Sequence, residues 1–252
     1  MIDRNEYIFG IRAVMEAIEA GKDIDKIFIK KDLQGELAGE LFNLIRQYRI
    51  VTQRVPVERI NKITRKNHQG VVALLSAVSY HSLENLVPQL YEDGVLPFVV
   101  VLDGITDVRN FGAIARTCEC VGADAVVIPE RGSVSVNADA VKTSAGALHH
   151  LPVCRERNVA SAVRFLKDNG YKIVAASEKA DINYTQAEYT VPVALVMGAE
   201  DTGISPEVLR MCDTFVSIPM FGRISSLNVS VAAGVMMYEV VRQRLAADMK
   251  VL

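Results

Sequence analysis

From Phe98 onward, short unbroken apolar runs alternate with stretches of helical spacing, and few folds accommodate such an alternation. Strands are expected at Phe98–Asp103, Asp124–Ile128, Leu151–Cys154, Lys172–Ala176, Val193–Met197 and Phe215–Ile218. Helical spacing lies between them at Phe111–Val121, Ala138–Leu148, Val159–Asn169 and Pro206–Met211. A long closing helix is expected from about Leu227 to Met249, with Val231, Val235, Tyr238 and Val241 as its apolar stripe. Strands that lack polar alternation are buried on both faces, so the reading is α/β: a parallel sheet covered by helices on either side. Ligands of such sheets collect beyond the carboxyl ends of the strands. A site is therefore expected in the loops after Asp103, Met197 and Ile218.

The chain before Phe98 has a different organisation. Gly10–Glu19 has helical spacing (Ile11, Val14, Met15, Ile18), as does Glu36–Tyr48 (Leu37, Leu41, Leu44, Ile45). Strands are expected at Lys26–Lys30, Ile50–Thr52 and Val71–Leu75, making residues 1–78 a compact α/β domain. Residues 79–96, with Pro88 and Gly94 around a short helix, read as a linker. Residues 97–252 form the second domain, and 252 residues are enough for two unequal domains.

Several classes are excluded. The start carries acids at once, and the longest apolar runs, such as Val71–Val78 and Val191–Ala199, are far below the ~18–20 residues that cross a bilayer. The reading is a cytoplasmic protein with no membrane association. Cys118, Cys120, Cys154 and Cys212 include no C-x-x-C pair, so no metal site is expected and the thiols read as buried packing. Neither G-x-G-x-x-G nor a phosphate loop occurs, which argues against a nicotinamide dehydrogenase or a P-loop ATPase. The net charge of -2, read as an average, leans against nucleic acid.

The three strand-end loops are polar and glycine-bearing. After Asp103, Asn110 stands where a helix cap would, and Gly112 and Arg116 share a helix face, the glycine leaving room beside the guanidinium. An Arg on so apolar a helix needs a carboxylate or a phosphate as partner. After Met197, Gly198 and Gly203 bracket Glu200 and Asp201, ahead of a helix that Ser205 caps and Pro206 opens. After Ile218, Ser225, Ser226 and Asn228 cluster at the start of the longest helix, where each is also a cap candidate.

These loops carry a resemblance. The segments N-F-G-A-I-A-R (110–116), V-M-G-A-E-D-T-G-I-S (196–205) and I-P-M-F-G-R-I-S-S-L-N-V-S-V-A (218–232) resemble the three signature motifs of the SpoU family of RNA ribose 2'-O-methyltransferases, within the SPOUT class. Tyr7–Ala17 and His68-Gln69-Gly70-Val71 resemble the L30e-like RNA-binding domain of one branch, which modifies a 23S rRNA guanosine. The resemblance implies a C-terminal trefoil knot, a homodimer and S-adenosylmethionine as cofactor. It implies cofactor contacts at Met197, Gly198, Ala199, Ile218, Met220 and Leu227. It also implies that Asn110, Arg116, Glu200, Ser226 and Asn228 line the reacting centre, with Glu200 orienting Arg116 or relaying a proton. Family members commonly have Pro where Val108 stands, a departure expected to loosen the loop carrying Asn110. The alternatives are a tRNA or rRNA-adenosine methyltransferase of the same family, and a catalytically silent RNA-binding assembly factor.

Charge is unevenly distributed. Residues 1–80 hold 13 Lys+Arg against 10 Asp+Glu, and the remainder 15 against 20. Within Arg46–Lys66 seven bases face a single acid, Glu58. Arg59, Lys62, Arg65 and Lys66 are the candidates for gripping rRNA there.

Overall fold

The structure, a computed structural model, describes residues 7–248 and divides into two units. The first runs up to Ser79 and includes Ser135–Ala138. Its strands are β1 (Tyr7–Phe9), β2 (Ile24–Lys30), β3 (Thr52–Val55) and β4 (Val71–Leu75), in the spatial order β1-β4-β2-β3. Only the β2–β3 pair is parallel. Side-chain alternation gives the sheet two apolar faces. Ile27, Ile29, Val71 and Ala73 pack under helices α1 (Ile11–Glu19) and α2 (Glu36–Gln47). Phe28, Val72 and Leu74 pack with Ile60 of a third helix, α3 (Val57–Ile63). Neither β1 nor α3 is foreseen from the sequence: β1 is too short to show a period, and α3 buries only Ile60.

In the second unit eight parallel strands line up as β10-β12-β9-β11-β6-β7-β8-β5. They are β5 (Tyr80–His81), β6 (Phe98–Asp103), β7 (Ala125–Pro129), β8 (Val153–Glu156), β9 (Lys172–Ala176), β10 (Ile182–Asn183), β11 (Val193–Gly198) and β12 (Thr214–Ser217). The helices are α4 (Leu83–Glu92), α5 (Val108–Cys120), α6 (Ala138–Thr143), α7 (Val159–Asp168), α8 (Pro206–Leu209) and α9 (Val229–Asp248). Residues 79–96 are not a free linker. β5 pairs with β8, and Leu83 and Val87 of α4 are buried in the second unit's core, because α4 has an apolar face of its own.

Three further differences have local causes. The expected helix 138–148 stops at Thr143, since Ala145 (φ 52°) and Gly146 (φ 87°) are left-handed, and it resumes as a 3-10 turn at Ala147–His149. Cys120 is exposed, because it lies two residues from buried Cys118 and so on the other side of α5. Burial pushes the Cys154 thiol up to about 12 and that of Cys212 to about 11. Finally, α9 buries Val229, Ala233, Met236, Met237 and Val240, not the expected stripe. Val231 and Tyr238 are exposed and Val235 and Val241 half-buried, because a helix apolar all round offers two faces and its packing, chiefly against α5, covers one. Met249 lies outside the described residues.

The far end of α9 is tied to the amino ends of the central strands. Arg244 donates to the carbonyls of Leu96 (2.7 Å), Pro97 (2.9 Å), Tyr189 (3.2 Å) and Val191 (3.2 Å), and its guanidinium lies 5.6 Å from the Phe98 ring. Removing it strands several part-buried acceptors. Arg244→Ala is expected to destabilise the unit by about 2–3 kcal/mol in urea denaturation. Arg244→Lys should restore less than half of this, because an ammonium cannot span the planar fork's contacts.

Candidate active site

β6 and β11 are neighbours with Leu102 opposite Met197 and Asp103 opposite Gly198, so their carboxyl ends open side by side. The chain leaves β6 toward β7 and β8 and later returns to the other side, which makes this the switch point of the sheet. Asp103 Oδ2 accepts the Ser205 backbone N–H at 2.7 Å and so anchors the start of α8, whereas the Ser205 side chain forms no cap.

The intervening loop closes on itself. Ala199 and Gly203 exchange both backbone hydrogen bonds, at 3.2 and 2.9 Å. A Cβ on Gly198 would stand 2.3 Å from the Gly203 carbonyl carbon and 2.4 Å from Ile204 N, so only glycine permits this closure. Gly203 turns back with φ 68°.

Closing the loop presents Glu200. Its Oε1 accepts from Asn228 Nδ2 (2.6 Å), Asn110 Nδ2 (3.3 Å) and the backbone N–H of Val229 (3.1 Å), the first residue of α9. Asn228 Nδ2 also donates to Asn110 Oδ1 at 3.0 Å. Asn228 Oδ1 caps α9, accepting Ser230 N at 3.0 Å and Ser230 Oγ at 2.5 Å. Asn228 is thus both cap and cluster member. Oε2 of Glu200 accepts no hydrogen bond among the described residues.

Asn110 is not the cap of its helix. α5 begins at Val108, and Asp107 Oδ1 caps it by accepting Arg109 N (2.8 Å) and Asn110 N (2.9 Å), leaving the Asn110 amide free to reach Glu200. Val108 is the first helical residue, and the Asp107 cap secures the turn there, so the loop carrying Asn110 is not loosened for want of a proline. The space beside Gly112 is taken by Thr143, whose Cβ would lie 2.6 Å from an added Cβ, and is not a recess for Arg116. Arg116 is exposed and forms no ion pair or hydrogen bond among the described residues, so Glu200 does not orient it.

A cleft of about 630 Å³ adjoins this cluster. Met197, Gly198, Ala199, Ile218, Met220 and Leu227 all line it, as do Glu200, Ser226 and Asn228. Ser226 is exposed and makes no hydrogen bond to the cluster among the described residues. Ser177, Glu178 and Lys179 also line the cleft and were not foreseen. The signal was present, since they follow the expected strand Lys172–Ala176 at the same edge of the sheet. Three acids (Glu178, Glu200, Asp201) against Lys179 favour a ligand with cationic groups. Among the described residues no group of three or more His, Cys, Asp or Glu is placed to hold a metal, and no helix is long and apolar enough to cross a membrane.

In the first unit Arg59, Lys62, Arg65 and Lys66 are all exposed. Arg59 lies over the Phe28 ring (5.6 Å to the centroid) and Lys66 over the Phe9 ring (5.2 Å). The rings steady both cations without neutralising them.

Residues 97–238 match the SpoU rRNA Methylase family, and residues 7–81 match the family of RNA 2'-O ribose methyltransferase substrate-binding domains. A relative from Staphylococcus saprophyticus, named for the TrmH family of tRNA/rRNA methyltransferases, is 39% identical over 237 residues, covering 94% of this chain and 95% of the relative. A Staphylococcus haemolyticus relative of the same name is 36% identical over the same shares. Among solved structures, the SpoU methyltransferase AviRb of Streptomyces viridochromogenes, in complex with AdoMet, superposes with TM-score 0.61 at 25% identity, over 95% of this chain and 90% of that one. An AdoMet-bound rRNA methyltransferase from Sinorhizobium meliloti gives 0.60 at 26% identity, over 96% and 89%. By the extent of the family match and the identity to these relatives, this chain is a member of the SpoU rRNA methylase family.

Proposed function

We propose that the protein is an RNA methyltransferase that uses S-adenosylmethionine to methylate a ribose 2'-hydroxyl, with a guanosine of 23S rRNA as the target. The observation that carries this is the Glu200–Asn110–Asn228 cluster at the mouth of an acid-rich cleft of about 630 Å³, a volume within the usual range for ligands of this size. Met197, Gly198, Ala199, Ile218, Met220 and Leu227 would hold the cofactor, with Glu178 and Asp201 suited to its cationic groups. When bound, S-adenosylmethionine supplies a methyl group already activated by its sulfonium.

The residues of the chain have the remaining work. Asn110, Asn228 and the α9 amide fix one oxygen of Glu200, which leaves Oε2 as the acceptor for the hydroxyl proton. A guanidinium stays charged in proteins, so Arg116 acts as a clamp on the target phosphate and steadies developing alkoxide charge. Ser226, on the cleft wall, is a further donor for the ribose. The exposed apolar row Val231, Tyr238 and Leu245 on α9, with Phe221 and Ile224 in the preceding loop, supports a homodimer. The family's trefoil knot and cytoplasmic location complete this reading. Relatives named for tRNA as well as rRNA make tRNA the second substrate to test.

Labelled methyl transfer to separate 23S rRNA, 16S rRNA and tRNA pools is expected to mark 23S rRNA, and Arg116→Ala to lower the rate about 100-fold with cofactor binding retained. No incorporation into any pool, despite cofactor binding, would instead identify a silent RNA-binding factor. Gly198→Ala, which forces the 198–204 loop open, should lower stability by about 1–3 kcal/mol and weaken cofactor binding in calorimetry. Replacing Arg59, Lys62 and Arg65 together by Gln should weaken RNA binding and reduce the slope of log affinity against log salt by about 2.

A further inference from the structure

A second cavity, of about 470 Å³, lies within the first unit and is not used by the chemistry described above. Its position follows from the sheet. β2 and β4 are antiparallel, with Ile29 opposite Val71, so the segment leaving β2 and the segment entering β4 emerge at the same end. Lys30 N donates to the Gly70 carbonyl at 2.8 Å and holds the two together. The approach requires glycine: Gly70 has φ 80°, and a Cβ there would lie 3.1 Å from Lys30 Cβ and 3.3 Å from Leu33 Cδ1.

One wall of the cavity is fixed by side chains bonded to backbone. Gln69, itself at φ 50°, accepts the first N–H of α1 (Ile11 N) on its Oε1 at 3.0 Å. His68 Nδ1 accepts Gly70 N at 2.9 Å, so its proton is on Nε2, which donates to Asn61 Oδ1 at 2.8 Å. Lys30 and Asp32, also on the lining, are paired with each other at 3.1 Å, which leaves Gln34 and Asn67. Both line the cavity, both are exposed, and neither side chain makes a hydrogen bond among the described residues. Lys66 lines it too and is the last base of the Arg46–Lys66 run.

Two uncommitted primary amides, each donor and acceptor, match the edge of a nucleobase, and an ammonium matches a phosphate. The edges of a base are open only where the nucleotide is unstacked and unpaired. We infer that this cavity takes one unstacked nucleotide of the RNA, its base edge on Gln34 and Asn67 and its phosphate on Lys66. This rests on the reading of the substrate as RNA and adds a second point of recognition, one that reads base identity.

The test uses the full-length chain and the RNA pool it methylates. The Gln34→Ala/Asn67→Ala variant is expected to bind that RNA about 10- to 100-fold more weakly. Its salt slope should not change, because no charge is removed, and its melting temperature and cofactor affinity should stay at wild-type values. Ultraviolet cross-linking of the wild-type complex should join a single nucleotide to peptides spanning residues 30–34 or 66–70. Unchanged affinity, a reduced salt slope, or cross-links confined to other surfaces would overturn the assignment while leaving the RNA reading intact. Failure of the wild-type protein to bind any of the RNA pools would instead remove the RNA reading itself.

Discussion

One carboxylate oxygen joins the three loops of the site. Glu200, carried on the loop after β11, accepts from Asn110 on the helix after β6, and from Asn228 and Val229 at the start of the helix after β12. Each of these bonds has an ionised acceptor, and one lies at a helix amino terminus, where negative charge is favoured. The arrangement depends on β6 and β11 being adjacent and in register, and on Gly198 letting the loop close. With that closure lost, Glu200 has no fixed position and the two asparagines no common partner.

Much of this arrangement is legible in the sequence. The runs Phe98–Asp103 and Lys172–Ala176 are strands with the bounds the sequence indicates, because an unbroken apolar run ending at Asp, or one followed by Ser and Glu, leaves little choice of end. The expectation that the site lies beyond Asp103 and Met197 follows from the parallel sheet alone, and the residues converge there. The roles within the site were less legible. Asn110 reads as a cap because it precedes a visible apolar period, yet the helix starts two residues earlier, at Val108, and Asp107 caps it. The pairing of Glu200 depends on distances across 90 and 28 residues of sequence, and no periodicity carries such information.

Other departures share a cause: a local pattern does not say which partner covers an apolar face. Residues 79–96 have the proline and glycine of a linker, but Leu83, Val87 and Leu90 are buried on one side of α4, and that face decides their place. In α9 the stripe that looks most regular in sequence is not the buried one, with Val231 52% and Tyr238 56% exposed. The buried side bears Ala233, Met236 and Met237 and packs chiefly on α5, with Met237 Sδ 3.6 Å from Cys118 Sγ. α3 buries one residue and was hidden inside a basic run. Its exposed face is the part that carries Arg59 and Lys62.

The near-neutral charge of the whole chain also has a physical meaning once it is divided. Acids dominate the lining of the cleft in the second unit, and bases dominate the Arg46–Lys66 surface of the first. A sulfonium cofactor and a polyanionic RNA make opposite electrostatic demands, and one uniformly charged surface would repel one of them. Separating the charges onto two units meets both demands and leaves a small net field. Arg116, exposed on α5 and without an ion pair or hydrogen bond among the described residues, is a cation that the acidic cleft lining does not neutralise. With so little overall field to draw RNA in, selectivity has to come from local contacts, the kind of recognition that amide side chains beside a lysine, as on the lining of the first unit's cavity, are suited to give.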